Sequence, residues 1–126
     1  METLLIEQTD DSPRVILDPV DKLFEISGKS LPEDVLEFYQ PVLDWLNAYK
    51  EEPDSETIFN IRLIYFNTAS SKLIMDIFLI LEAMVEEGHE ALIKWHSHQS
   101  DEDMQEAGSE FEEMIAVPFE HVTYQS

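Results

Sequence analysis

A chain of 126 residues with 28 Asp and Glu against 7 Lys and Arg has a formal charge of −21, and this length fits one ordinary domain. An apolar share of 44%, with 10% aromatic, is enough for a packed core, so the charge does not imply disorder. A surface this acidic repels phosphate backbones and anionic headgroups, which argues against nucleic-acid or membrane-surface binding and toward protein partners.

Leu4-Leu5-Ile6 and Arg14-Val15-Ile16-Leu17 read as short strands across the turn-rich Thr9-Asp10-Asp11-Ser12-Pro13, and Leu23 to Ser27 as a third strand ending at Gly28. Ser30-Leu31-Pro32-Glu33 has the spacing of a capping box, and Leu36, Tyr39, Leu43 and Leu46 then recur at helical spacing as far as Tyr49. Pro41 is expected to kink this helix, because it cannot donate to the Glu37 carbonyl. Thr57 to Tyr65 reads as a strand buried on at least one face. A helix follows from about Ala69 to Glu87, stopped by Gly88, and then a strand from Glu90 to Trp95. Asp101 to Ile115 is an acidic helix with the apolar stripe Met104, Ala107, Phe111 and Met114, and Val117 to Tyr124 is a last strand. The alternation of strands and helices from the third strand onward predicts a single α/β domain, a mostly parallel or mixed sheet flanked by about three helices.

The absence of cysteine removes disulfides, thiol catalysis and Cys-based zinc motifs, and fits a reducing cytoplasm. Met1 to Glu7 lacks the basic start and long apolar run of a signal peptide. The longest apolar stretch, Leu73 to Val85, is interrupted by Asp76 and Glu82 and is too short to span a bilayer. The expected setting is the cytoplasm.

The junction Tyr65-Phe66-Asn67-Thr68-Ala69-Ser70-Ser71-Lys72 offers two readings. In the first, Asn67 or Thr68 caps the following helix, a bond worth about 1 kcal/mol. In the second, a hydroxyl here accepts a phosphate, which would face free amides and the positive end of the helix dipole. At about 100° per residue, Leu73, Ile74, Ile77, Phe78, Ile80, Leu81, Met84 and Val85 share the core side of the helix. Thr68, Ser71, Lys72, Met75 and Leu79 fall on the outer side, where an apolar pair beside a hydroxyl suits protein docking. His96 and His98, two apart on a strand with Asp101 close behind, could hold a metal, but they match no known ligand spacing. His89 and His121 read as isolated surface or edge residues. With three glycines, no Gly-x-Ser-x-Gly and no His-Glu-x-x-His, the recognised enzyme signatures are missing, and no cofactor is expected.

Gly28-Lys29-Ser30-Leu31-Pro32-Glu33, Phe38-Tyr39-Gln40-Pro41-Val42-Leu43-Asp44-Trp45-Leu46 and Tyr65 to Lys72 together give the chain a resemblance, over essentially its whole length, to the SiaC family of bacterial regulatory phosphoproteins. The resemblance implies a fold similar to the STAS domains of anti-sigma factor antagonists, with Thr68 as the phosphorylated residue. It also implies a GHKL-type kinase, a PP2C-like phosphatase and a GGDEF diguanylate cyclase as partners. The unphosphorylated form is expected to activate the cyclase, raising cyclic di-GMP and promoting biofilm formation, with Asn67, Thr68, Ser71, Lys72, Met75 and Leu79 on the docking face. Two alternatives compete with this non-enzymatic adaptor. One is a metal-dependent enzyme built on His96, His98 and Asp101. The other is an acidic antagonist that binds a basic partner through bulk charge.

Overall fold

A computed structural model describes residues 1–125. The chain forms β1 (Leu4–Ile6), β2 (Arg14–Asp18), β3 (Leu23–Ser30), α1 (Val35–Tyr49), β4 (Glu56–Phe66), α2 (Thr68–Glu86), β5 (Glu90–His98), α3 (Glu102–Met114) and β6 (Phe119–Tyr124). The strands make one six-stranded mixed sheet in chain order. β1, β2 and β3 pair antiparallel, while β3 to β6 pair parallel through the three helical crossovers. Crossovers of one hand that always step in the same direction place every helix on the same face. The burial alternation of β4 agrees: Thr57, Phe59, Ile61 and Leu63 are buried beneath the helices, whereas Ile58, Asn60, Arg62 and Ile64 are not.

One apolar cluster joins that face to all three helices. Phe24 of β3 meets Trp45 and Tyr49 of α1, with ring centroids 6.1 and 5.3 Å away. Trp95 of β5 meets Phe78 of α2 at 6.4 Å and Phe111 of α3 at 5.5 Å, and its indole N–H donates to the Met104 carbonyl at 2.9 Å.

The structure corrects several sequence expectations. Ser30 does not cap α1. It ends β3, which runs past a register shift at Gly28/Lys29, and the cap is Asp34, whose carboxylate accepts from the Glu37 amide at 3.0 Å. β5 extends beyond Trp95, so His96, Ser97 and His98 are strand residues. Met114 is 60% exposed, and the buried stripe of α3 is Met104, Gly108 and Phe111, followed by buried Ile115 just past the helix end. His121 is not isolated, because its Nε2 lies 2.8 Å from the Glu112 carboxylate.

Candidate functional site

β4 carries the chain to the end of the sheet, where the Asn67 amide donates to the Ser30 carbonyl at 3.1 Å. Asn67 keeps an extended backbone, with φ −88° and ψ 173°, and its side-chain oxygen accepts from the Ser70 amide at 2.8 Å. Asn67 is therefore the cap and Thr68 the first helical residue. The Thr68 and Ala69 amides are left without intrahelical acceptors. Thr68 is exposed, and among the described residues no hydrogen bond uses its hydroxyl. The first turn of α2 holds no acidic residue, whereas those of α1 and α3 hold Glu37 and the pair Glu102 and Asp103. The positive end of α2 thus carries no carboxylate of its own, although Glu110 of α3 lines the cleft beside Ser71.

The neighbouring hydroxyls differ from Thr68. Ser70 is fully buried, donating to the Ser30 carbonyl at 2.8 Å and accepting from the Ser30 hydroxyl at 2.9 Å. Ser30 also bonds Tyr39 at 2.5 Å, and burial pushes the Tyr39 phenol up to about 12. This network fastens the start of α2 to β3 and α1, which withholds Ser70 from any modifying enzyme. Ser71 is half-buried beside a small cleft lined by Phe66, Ala107, Glu110, Phe111 and Met114. Thr68 is thus the one exposed hydroxyl of the three.

Along α2, Lys72 is exposed and pairs loosely with Asp76 at 3.4 Å, and Leu79 is 44% exposed. Met75, expected beside Leu79 on the outer side, is half-buried and packs against the core. The helical face near Thr68 therefore presents Lys72 and Leu79, with Met75 contributing only an edge.

The metal alternative lacks geometry. His96 Nε2 lies 3.0 Å from the Asn60 side-chain oxygen, His98 Nδ1 lies 2.7 Å from the Ser100 hydroxyl, and Asp101 caps α3. Among the described residues no group of three His, Asp or Glu side chains could hold an ion. His96 is almost wholly buried, and its pKa is lowered to about 4 by that burial, helped by Arg62 and Lys94 and opposed by Glu120. The fold therefore favours neutral imidazole. The stability this contributes is complete above the unfolded value of about 6.5 and is lost as pH falls from there toward 4. A His96→Gln protein should lose less stability than the parent between pH 7 and pH 4.5, by a difference on the order of 3 kcal/mol at most in urea titrations.

The sequence reading missed the exposed Ile64 and Tyr65 at the end of β4 and the apolar residues on the uncovered sheet face. Their signal was present, since Ile58 and Ile64 sit at the same parity as Asn60 and Arg62.

A model of the SiaC family of regulatory phosphoproteins matches residues 6–124. The chain belongs to the SiaC family. It is 30% identical over 119 residues, 94% of each chain, to an uncharacterized protein of Pseudomonas aeruginosa strain UCBPP-PA14. The crystal structure of apo-SiaC from Pseudomonas aeruginosa superposes with a TM-score of 0.89 at 29% identity, covering 97% of this chain and 99% of that one. SiaC in the crystal structure of the diguanylate cyclase SiaD in complex with its activator SiaC, also from Pseudomonas aeruginosa, gives a TM-score of 0.91 at 29% identity, covering 96% and 99%. Thr68 is the exposed, unbonded first residue of the Asn67-capped α2. No helix among the described residues is long and apolar enough to cross a membrane.

Proposed function

We propose that this chain is a non-enzymatic cytoplasmic adaptor that, with Thr68 unmodified, binds and activates a GGDEF diguanylate cyclase, raising cyclic di-GMP and promoting biofilm formation. A GHKL-type kinase and a PP2C-like phosphatase set the state of Thr68. The observation that carries this reading is the exposed Thr68 hydroxyl, free of hydrogen bonds and placed at a helix start with no first-turn acid. Membership of a regulatory phosphoprotein family and likeness to a SiaC that activates a diguanylate cyclase support it. Asn67, Thr68, Ser71, Lys72, Met75 and Leu79 form the contact region of this reading, in which Asn67 positions the helix start and Lys72 and Leu79 offer charge and apolar surface.

The test is cyclic di-GMP synthesis by the purified cyclase of the same host, with and without this chain, over a salt series. Stimulation that survives moderate salt supports a specific docking face. Binding without stimulation that collapses with salt and ignores Thr68 substitutions favours the charge-based antagonist, which the charge of −21 makes a real competitor.

Leu79→Asp separates docking from folding. Leu79 is already 44% exposed, so the variant should retain its far-ultraviolet circular dichroism and lose less than about 0.5 kcal/mol, while cyclase binding weakens at least tenfold. Met75→Asp, which places a charge against the core, should instead destabilise the fold.

A further inference from the structure

Thr68 and Ala69 stand between two residues that are tied to the same atom. The Ser30 carbonyl oxygen accepts from the Asn67 amide at 3.1 Å and from the Ser70 hydroxyl at 2.8 Å. The Asn67 side chain closes the bracket by accepting from the Ser70 amide, also at 2.8 Å. The Asn67 carbonyl then accepts from the Ser71 amide at 3.0 Å, the first bond of α2. Thr68 and Ala69 thus form a short arch on fixed feet, with the Thr68 side chain left to rotate.

The bracket continues inward as a chain of hydroxyls. Ser70 gives its one proton to the Ser30 carbonyl, and Ser30 gives its own to Ser70 at 2.9 Å. Tyr39 is therefore the donor in its bond to Ser30. The three residues come from α2, β3 and α1, and all are fully buried. Apolar side chains of similar volume would hold these elements together as well, since a buried hydrogen bond adds little net stability. What directed bonds add is a single register, here that of the α2 turn presenting Thr68 against β3.

Phosphoryl transfer depends almost wholly on positioning and electrostatics, and a displacement of about 1 Å can cost on the order of 100-fold in rate. We propose that Ser70, acting through Ser30 and Tyr39, is a positioning residue for the phosphorylation of Thr68. The hydroxyl chain holds the Thr68 backbone where its side-chain oxygen meets, in line, the γ-phosphorus of the kinase's nucleoside triphosphate. A bond forms from that oxygen to phosphorus, and the bond from phosphorus to the β,γ-bridging oxygen breaks. The nucleoside diphosphate leaves, and the hydroxyl proton passes to a base of the kinase. The proposal rests on the Thr68 switch proposed above. Because the chain is buried, it governs the rate of transfer and not the docking of the kinase.

The test is steady-state phosphorylation of the full chain by the purified kinase of the same host, with the phosphate located by peptide mass spectrometry. Every variant is assayed at a temperature where it is folded. Ser70→Ala and Tyr39→Phe remove the two ends of the hydroxyl chain. Thr57→Val is the control, because it removes a buried hydroxyl, bonded to Tyr49 at 2.8 Å, at the far end of β4. The expected result for Ser70→Ala is at least a roughly tenfold fall in kcat with KM within about twofold, and faster amide exchange at Thr68 and Ala69. Tyr39→Phe should lose about threefold in kcat. Thr57→Val should keep parental kinetics even where its melting temperature drops as far. Parental kcat in either chain variant, or an equal fall in Thr57→Val, overturns the proposal and leaves the switch intact. Tyr39→Phe keeps both Ser70 bonds, so it decides alone should Ser70→Ala not fold. A parent chain that takes no phosphate on Thr68 overturns the switch and the proposal with it.

Discussion

Phosphorylation of Thr68 is expected to remove most activation of the cyclase, weakening docking by about 2–4 kcal/mol, or roughly 30- to 1000-fold in affinity. The phosphate brings about −1.5 to −2 charges to a position where the unmodified hydroxyl is exposed and unbonded. Locally it gains the free Thr68 and Ala69 amides and the positive end of α2, with Lys72 one turn along and held only loosely by Asp76 at 3.4 Å. Those same contacts fix the charge at the rim where a partner must desolvate the surface. Thr68→Ala should therefore keep full activation and become insensitive to the kinase. Its folding stability should change by no more than about 0.5 kcal/mol, because the capping bond belongs to Asn67. Asn67→Ala should lose about 1 kcal/mol. Thr68→Asp carries one charge and fewer acceptors than a phosphate, so a partial loss of activation is expected. Cyclase turnover and titration calorimetry on the set of variants check all of these outcomes.

Gly108→Ala is expected to destabilise the fold by about 2 kcal/mol, although helix propensity alone favours alanine by roughly 1 kcal/mol. A β-carbon on Gly108 would stand 2.5 Å from Trp95 Cδ1 and 2.6 Å from its Nε1. The indole cannot retreat. It is ringed by Phe66, Phe78 and Phe111 and tied through its N–H to the Met104 carbonyl. The backbone of α3 must therefore lift from the sheet, opening the cleft beside Ser71. Gly108→Leu should fail to fold. Urea unfolding of the alanine variant decides the sign, and a stabilised protein would contradict the packing of α3 on Trp95.

How much of this was legible in the sequence depends on which interaction controls each segment. α2 was legible almost to its ends, because a periodic apolar run closed by Gly88, which adopts φ +98°, is governed locally. The start of α1 was not. Ser30 and Glu33 have capping-box spacing, but the Ser30 carbonyl receives bonds from Asn67 and Ser70, far away in sequence, and its hydroxyl joins Tyr39. That tertiary demand keeps Ser30 in the sheet and leaves Asp34 to cap. The junction at Thr68 was recognisable as a helix start with a hydroxyl, yet only coordinates distinguish the capping Asn67 from the free Thr68. The bare sheet face was hidden for another reason. Apolar residues at both parities of β4 read as a strand buried on at least one face, and the sequence does not say whether the second face is covered as well.

The most direct test of the switch is intact-mass and peptide mass spectrometry of the protein purified from its host, before and after phosphatase treatment. A single phosphatase-sensitive phosphate on Thr68 is the expected result. An unmodified Thr68 across several growth conditions, or a phosphate on Ser71 in its place, would contradict the switch and return Thr68 to an ordinary first residue of α2.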